Sequence, residues 1–241
     1  MVCRSNEDYE REKLNLNAFL SNRVAGVIAS ISQNTIDGSH FQNVISSGVP
    51  LVFFDRVLEN IDAYKVVIND KESAFNAVEY LIKKGYKKIA HLRGKSGINI
   101  SEKRFLGYKE ALFKHNLEIC DDLIVEVGLH KEDGYNFVEK LFEFEQVPDA
   151  IFAVNDPVAI GAIQKLKELG FVIPKDVAVV GFSDNPECEI ITPKLTTVHQ
   201  PSFEMGKSSA RLILDMIQRK LNKLDNKTIM LETELVIRES T

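Results

Sequence analysis

The sequence contains no tryptophan and only three cysteines among its 241 residues. Without tryptophan, a ligand site cannot use an indole ring as a stacking platform for a sugar. The cysteines, Cys3, Cys120 and Cys188, are odd in number and widely spaced, so they do not predict a disulfide framework. We therefore expect the chain to work in a reducing cytoplasm.

The chain also lacks an excess of positive charge and any long apolar run. It has 30 Lys and Arg residues against 35 Asp and Glu residues, which gives a net charge of −5. Because a surface that binds nucleic acid is normally basic, we do not expect these residues to contact DNA themselves. No apolar stretch approaches the roughly 18 residues of a membrane span. The first eight residues lack the apolar region of a secretion signal, and we expect no membrane partner.

Motifs typical of catalysis and metal binding are missing as well. The five histidines share no metal-ligand spacing, and no Gly-x-Ser-x-Gly motif is present. Gly94-Lys95-Ser96 resembles the end of a phosphate-binding loop, but that loop needs glycine where this chain has Ile89. No nucleophile has an evident proton-transfer partner. The sequence thus predicts a binding protein with no catalytic residue, no cofactor and no metal.

Five short apolar runs dominate the sequence, and each ends abruptly in polar residues. They occupy residues 25–29, 50–54, 65–68, 150–154 and 177–182. Apolar runs without alternation are typical of strands buried on both faces, as in a parallel sheet covered by helices. Ligands of such sheets bind outside the carboxyl ends of the strands. The polar residues that follow these runs are therefore candidates for a binding site.

Helical patterns separate most of the runs, which predicts an α/β fold with doubly wound sheets. The patterns cover residues 7–21, 40–47, 72–84, 101–116, 132–144, 158–169 and 201–221. Gly85 and Gly170 each follow one of these patterns. Both fit the left-handed position just after a helix, where glycine avoids a clash of the Cβ atom.

Several longer motifs, read in order, resemble a known family. They are NRVAGVI at 22–28, RFLGY at 104–108, AVNDPVAIGA at 153–162, VAVVGFSDN at 177–185 and TPKLTTVHQP at 192–201. This set is similar to the effector-binding domain of bacterial transcriptional repressors of the lactose/galactose-repressor family. The resemblance covers essentially the whole chain, and its most specific part is the pair of segments between 177 and 201.

The resemblance implies a periplasmic-binding-protein-like fold of type I, with two doubly wound parallel-sheet lobes joined by three crossover strands. The crossings are expected near residues 69–70, 199–200 and 229. The N-lobe would comprise residues 1–69 plus 200–228, and the C-lobe residues 70–199 plus 229–241. Members of the family carry an N-terminal helix-turn-helix headpiece, which this sequence lacks. The first strand and helix of the N-lobe also have no counterpart, and residues 1–8 match the family's second strand.

The resemblance also implies a small-molecule site between the two lobes. Its candidate residues follow the predicted strands or begin the next helix: Ser32, Asp55, Arg56, Arg104, Asn155, Asp156 and Ser183. Arg104 is expected as an exposed arginine in the first turn of its helix, offering a fork of N–H donors. Its replacement by alanine would then leave thermal stability nearly unchanged. For Asp156 and Asp184, capping of a helix or turn is an equal alternative.

The effector implied by the family is a sugar or a sugar derivative. Leu129 stands where relatives often place an aromatic ring, and Ile98 and Ile100 stand where some have polar contacts, so this pocket is expected to have a more apolar wall. Phe54 and Phe182 are candidates for an aromatic face, with core packing as the alternative.

Two functions remain open from the sequence. The first is a cytoplasmic transcriptional regulator that binds operator DNA through a headpiece outside this chain. The second is a solute-binding receptor of a sugar transport system on the same fold. The resemblance further implies a homodimer in which Ile160 lies at the two-fold interface and the helix at 72–84 contributes, although burial of Ile160 in its own core is the alternative.

Overall fold

The computed structural model describes residues 1–35, 37–143, 147–220 and 227–241. The chain divides into two compact units. Unit 1 consists of Met1–Ile68 and Pro201–Leu231, and unit 2 of Asn69–Gln200 and Glu232–Thr241. The bounds lie within three residues of those expected for the two lobes. The ends predicted for two helices at residues 144 and 221 lie outside the described residues.

Helices and strands alternate along most of the chain. The helices are α1 (Tyr9–Ser21), α2 (Ser39–Ser46), α3 (Asp70–Lys83), α4 (Asn99–Lys114), α5 (Lys131–Phe137), α6 (Asp156–Glu168) and α7 (Ser202–Ile217). The strands are β1 (Val27–Ala29), β2 (Leu51–Phe54), β3 (Tyr64–Ile68), β4 (Ile89–Gly94), β5 (Ile124–Val127), β6 (Ala150–Ala153), β7 (Ala178–Ser183), β8 (Thr196–His199), β9 (Thr228–Leu231) and β10 (Glu234–Val236). All five apolar runs therefore form strands.

Unit 1 is built on a parallel sheet with the strand order β1-β2-β3-β9. Its core gathers Leu16 of α1, Phe41 of α2 and Phe53 of β2. Residues 1–8, expected to match the family's second strand, form no strand here, because none of the described strands pairs with their backbone N–H and C=O groups. Their correspondence to that strand of the family stays a prediction.

Unit 2 contains a six-stranded sheet with the order β10-β8-β7-β6-β4-β5. All neighbours are parallel except β10, which runs antiparallel to β8. The central strands are buried on both faces, as Ile151, Phe152 and Val180 are fully inaccessible to solvent. Because the parallel strands end at the same edge, the segments after β4, β6 and β7 meet there.

Two predicted helix ends are confirmed and one is wrong. Gly85 and Gly170 adopt φ angles of +102° and +90° directly after α3 and α6. The helix predicted at 132–144 is shorter: α5 ends at Phe137, and a 3-10 segment at Val138–Phe142 follows. That segment buries Val138 and Leu141. An apolar pattern over so few residues does not distinguish a 3-10 segment from a continuing α-helix.

The core of unit 2 contains a buried imidazole that predicts an acid limit to stability. His91 is inaccessible to solvent and stacks on Tyr108 and Phe152, with both ring centroids 5.0 Å away. Its Nδ1–H donates to the carbonyl of Phe152 at 2.9 Å. Burial lowers the pKa of His91 to about 3. The uncharged ring therefore contributes fully above an unfolded-state pKa of about 6.5, and the contribution is lost as pH falls toward 3.

We expect the free energy of unfolding to fall by on the order of 4 kcal/mol between pH 6.5 and pH 3 because of this residue alone. His91→Gln should be less stable at pH 7 but should lack that part of the acid slope. The measurement is denaturant unfolding at several pH values. A variant whose slope matches that of the wild type would show that His91 is not the titrating group.

Candidate functional site

Arg104 is the centre of the polar edge of unit 2, and it is not exposed. It lies in the second turn of α4, because that helix begins at Asn99. Its Nε–H donates to Asp70 Oδ1 at 2.8 Å, and its second terminal nitrogen lies 2.8 Å from the same oxygen. Both side chains are 1% exposed. The expectation of an exposed arginine whose loss leaves stability unchanged is therefore wrong, because the guanidinium is one half of a buried ion pair.

The remaining contacts of Arg104 tie it to the ends of two strands. One terminal N–H donates to the carbonyl of Val154, directly after β6, at 2.6 Å. The guanidinium carbon lies 3.6 Å from the ring centroid of Phe182 in β7. Phe182 therefore gives an aromatic face to Arg104, and its position next to Ser183 brings that serine to the same edge. Of the five N–H groups of a guanidinium, three are used by Asp70 and Val154.

Asn155 and Asp156, predicted as ligand contacts, are both engaged within unit 2. Asn155 caps α6: its Oδ1 accepts from the N–H of Val158 at 3.0 Å, and its Nδ2 donates to the carbonyl of Leu129 at 3.0 Å. Asp156, the first residue of α6, is fully buried and accepts from the N–H of Asn185 at 2.8 Å and from the hydroxyl of Thr197, so its side chain does not cap its own helix. Burial raises the pKa of Asp156 above its usual range, against those two hydrogen bonds.

Ser183 and Asp184, at the end of β7, hold an unusual backbone conformation. Their φ angles are +129° and +61°, in the region that favours glycine. Asp184 is held by Arg238 at 2.7 Å and by Nδ1 of His199 at 3.0 Å. The carbonyl of Ser183 accepts from the N–H of Gln200 at 3.3 Å. Within the described parts of the chain, the hydroxyl of Ser183 forms no hydrogen bond.

Two buried features of this edge were not anticipated from the sequence. Asp70 looks like an ordinary acidic residue at a helix start, so nothing in the sequence marks it as the partner of Arg104. Ser101 of α4 is inaccessible, and its Oγ has no hydrogen-bond partner in the described structure. Ile98 and Ile100, expected as an apolar wall, are 4% and 5% exposed.

In unit 1, the three candidate residues lie at the ends of β1 and β2. The N–H of Ser32 donates to Oε2 of Glu12 at 2.6 Å, and its Oγ accepts from the N–H of Asn34 at 3.1 Å. Arg56 forms a two-point ion pair with Glu7, at 2.9 and 3.0 Å. Its carbonyl accepts from the N–H of Ile31, adjacent to Ser32, at 3.2 Å. The two strand ends are thus linked.

Asp55 follows β2 with a left-handed φ of +57°. Such angles cost free energy for a residue other than glycine, and they occur often at binding sites. Left-handed φ angles therefore occur at the end of β2 in unit 1 and at the end of β7 in unit 2. Phe54, the alternative aromatic face of unit 1, is half-buried at the end of β2.

Among the residues that the structure describes, no three His, Cys, Asp or Glu side chains are grouped so that they could hold a metal ion. None of the helices in those residues is long and apolar enough to cross a membrane.

The sequence matches a family described as periplasmic binding protein-like domain over residues 78–241. A Bacillus subtilis protein described as "Probable HTH-type transcriptional repressor ExuR" is 33% identical over 90% of this chain and 65% of its own length. The ribose operon repressor of Halalkalibacterium halodurans is 33% identical over 100% of this chain and 70% of its own length. The chain therefore spans about two thirds of the length of these relatives.

Solved structures agree with this relationship. The transcription regulator CcpA of Lactococcus lactis superposes with a TM-score of 0.92 at 26% identity, over 100% of this chain and 87% of that one. A LacI family transcriptional regulator from Enterococcus faecium, solved with bound ribose, gives a TM-score of 0.84 at 27% identity, over 95% of this chain and 83% of that one. The chain belongs to the lactose/galactose-repressor family of transcriptional regulators, and it is the effector-binding domain of that family with its periplasmic-binding-protein-like fold.

Proposed function

We propose that this domain senses a small molecule of the sugar class and controls the binding of its parent protein to operator DNA. DNA contact would come from a headpiece outside these residues, in the cytoplasm. A ligand can shift such a regulator only by its different affinity for two states of the protein. One relative is described with bound ribose and another as a complex with cellobiose, which supports a sugar as the ligand.

The observation that carries this proposal is the loop after β7. Ser183 and Asp184 have left-handed φ angles, and four contacts hold the loop: those of Arg238 and His199 with Asp184, of Gln200 with Ser183, and of Asp156 with Asn185. Strain that the surroundings maintain is characteristic of functional sites. The loop thereby fixes the Ser183 hydroxyl, which is left to donate to or accept from a ligand.

The seven candidate residues then divide into two roles. Ser183 and Asp55 would contact the ligand directly, whereas Arg104, which is 1% exposed, would act by holding Asp70 and the end of β6 in place. Asn155 and Asp156 would act by fixing the strand ends, since their polar atoms are engaged by Val158, Leu129, Asn185 and Thr197. In unit 1, Ser32 and Arg56 would similarly hold the loop after β1.

The proposal is tested by calorimetric titration of the protein with a panel of sugars that includes ribose and cellobiose. We expect one or more to bind. Ser183→Ala should then weaken that binding at least about tenfold, as for the loss of a hydrogen bond that leaves a polar partner unpaired, with little change in melting temperature. Ser46→Ala, at an exposed position in α2, is the matched control. Unchanged binding by Ser183→Ala would contradict the assignment.

We propose that the domain is a homodimer whose interface includes Ile160. Ile160 is half-buried in α6 and packs partly against the core of unit 2, so part of its surface is available to a partner. An isologous interface would bring two copies of this residue together. Replacement by aspartate would place two negative charges near the axis.

We therefore expect Ile160→Asp to sediment as a monomer at micromolar concentration, where the wild type sediments as a dimer. A stable dimer buries about 1,200 Å² or more. Two aspartates at the centre of such an interface would repel each other and lose their hydration, which should outweigh the apolar contacts around them. The control is Lys167→Asp, which introduces the same residue at an exposed position near the end of α6 and should leave the protein dimeric. A monomeric wild type, or a dimeric Ile160→Asp, would refute the assignment.

A further inference from the structure

The loop after β1 in unit 1 is held by a buried carboxylate from another part of the chain. Glu12 of α1 is 6% exposed, and its Oε2 accepts from the N–H of Ser32 at 2.6 Å. Its Oε1 accepts from the hydroxyl of Thr35 at 2.8 Å and lies 2.7 Å from Nε2 of His40 in α2. Because a carboxylate can only accept, that imidazole nitrogen carries the proton and donates it. One side chain thus satisfies three donors, and two of them belong to the loop.

His40 orients this carboxylate from the opposite side of the loop. Its ring is 6% exposed and contacts the rings of Tyr9 and Phe41, with centroids 5.3 and 4.3 Å away. Its Nδ1 has no hydrogen-bond partner in the described structure. Within those residues, the contact with Glu12 is therefore the polar anchor of the imidazole, and the aromatic rings keep it in place.

A second carboxylate, that of Glu7, joins the same loop to the end of β2. Glu7 precedes α1 and has a left-handed φ of +61°. Its Oε2 accepts from the N–H of Gln33 at 2.6 Å, and its backbone carbonyl accepts from Nδ2 of Asn34 at 2.7 Å. The same side chain forms the two-point ion pair with Arg56, the residue directly after Asp55. Glu7 thus connects the loop after β1 with the segment after β2.

The burial of Glu12 costs free energy that packing alone would not require. A carboxylate leaves water at a large cost unless hydrogen bonds replace its hydration, and apolar residues often replace buried charged groups without loss of stability. Leu16, one turn further along α1, shows that the buried face of this helix accepts an apolar side chain. Glu12 and its three donors fix one geometry of the loop, which an apolar residue could not do.

We propose that Glu12 and Glu7 are positioning residues for ligand binding: their carboxylates set the conformation of the segments that carry Ser32 and Asp55, and thereby the affinity of the site. Asp55 is the proposed direct contact in unit 1, and Arg56 follows it in the chain. The inference rests on the proposed function, because it assumes that the ligand binds where these segments lie. Both glutamates act on the ligand through the loop and Arg56.

The decisive variant is Glu12→Gln, which keeps the size of the side chain and replaces one acceptor oxygen by an NH2 donor. In one orientation this group faces the N–H of Ser32, and in the other it faces the Nε2–H of His40, so the loop must shift or the imidazole must change its tautomer. The probes are ribose and cellobiose, titrated by calorimetry. We expect the affinity for the sugar that binds the wild type to fall about tenfold or more, as for the loss of a hydrogen bond to a charged group.

Two controls separate positioning from stability, at a temperature at which all variants are folded. Glu10→Gln makes the same change at a glutamate of α1 whose side chain is 71% exposed, and it should bind as the wild type does. Leu212→Ala removes a buried side chain of α7, which packs against β2 and β3, and it should melt earlier with unchanged affinity. Wild-type affinity in Glu12→Gln, or an equal loss of affinity in Leu212→Ala, would overturn the inference.

The ligand-free protein provides a second measurement, which is amide hydrogen exchange followed by NMR. Exchange should be about tenfold faster or more at Ser32 in Glu12→Gln and at Gln33 in Glu7→Gln, because these N–H groups lose the carboxylates that protect them. Exchange at both amides should be unchanged in Glu10→Gln. Wild-type exchange rates in the two variants would contradict the inference. If Glu12→Gln does not fold, Glu7→Gln decides by affinity and by exchange.

Failure of this inference can be separated from failure of the proposed function. A sugar whose binding is weakened by Ser183→Ala, but not by Glu12→Gln or Glu7→Gln, would leave the site in place and refute only the role of the two glutamates. Binding that Ser183→Ala does not affect would refute the proposed site, and the exchange rates of the loop would then decide whether the glutamates hold it.

Discussion

Replacement of Arg104 by alanine is expected to lower the free energy of unfolding by about 3–5 kcal/mol, the range measured when one partner of a buried ion pair is removed. The carboxylate of Asp70 would stay buried without its cation, and the carbonyl of Val154 would lose the N–H that now donates to it at 2.6 Å. The ring of Phe182 would also lose the guanidinium stacked on it. For a chain of this size, the melting temperature should fall by roughly 6–20 °C.

The control is Arg211→Ala, an exposed arginine inside α7, for which a change within about 0.5 kcal/mol is expected. A double variant, Arg104→Met with Asp70→Leu, removes both charges and should regain most of the lost stability, because apolar pairs often replace buried ion pairs without loss. Calorimetric unfolding of the four proteins is the measurement. Arg104→Ala melting within about 2 °C of the wild type would contradict the buried-pair description.

This result would also change how ligand-binding data are read. If Arg104→Ala unfolds the edge of unit 2, a loss of ligand binding would not show whether Arg104 contacts the ligand or only keeps the site folded. Ser183 is therefore the better probe of contact, because its hydroxyl has no partner in the described structure whose loss would destabilise the fold.

The strands were predictable because their burial between helices restricts the residue types that the sequence can have there. A strand covered by helices on both faces must be apolar at successive positions, as in 150–154 and 177–182, and the chain turns polar where the strand leaves the core. Gly85 and Gly170 were predictable for a similarly local reason, since the backbone after a helix often requires a left-handed angle. Both signals lie within a few neighbouring residues.

The chemistry of the edge was not predictable because it depends on distant partners. Arg104 and Asp70 are 34 residues apart, and an arginine early in a helix has the same local sequence whether it faces water or an aspartate. Asn155 follows a strand and begins a helix, so ligand contact and capping predict the same residue type at that position. The residues of the short strands β9 and β10 are only partly buried or exposed, so these strands do not need the long apolar runs that mark the central strands.

Helix pairs in unit 2 approach so closely that glycine is required where they cross. A Cβ atom on Gly161 of α6 would lie 1.9 Å from the carbonyl oxygen of Lys131 in α5, and one on Gly134 of α5 would lie 1.9 Å from the carbonyl oxygen of Val158. Backbone atoms cannot move aside as the end of a flexible side chain can. Each helix therefore depends on the glycine of the other.

Gly161→Ala is accordingly expected to destabilise unit 2 by about 3 kcal/mol, at the upper end of the usual cost of overpacking, because α5 must shift away from α6. The same change at Gly206 of α7 is the control: in the described structure, no atom beyond the backbone of its own helix and its chain neighbours lies within 4 Å of its Cβ position, and alanine should stabilise the helix by about 0.5–1 kcal/mol. Calorimetry, which registers the unfolding of both units, measures the two effects with opposite signs. If Gly161→Ala were as stable as the wild type, α5 and α6 would not cross at the distance described, and the anchoring of Asn155 to Leu129, which immediately precedes α5, would lose its structural basis.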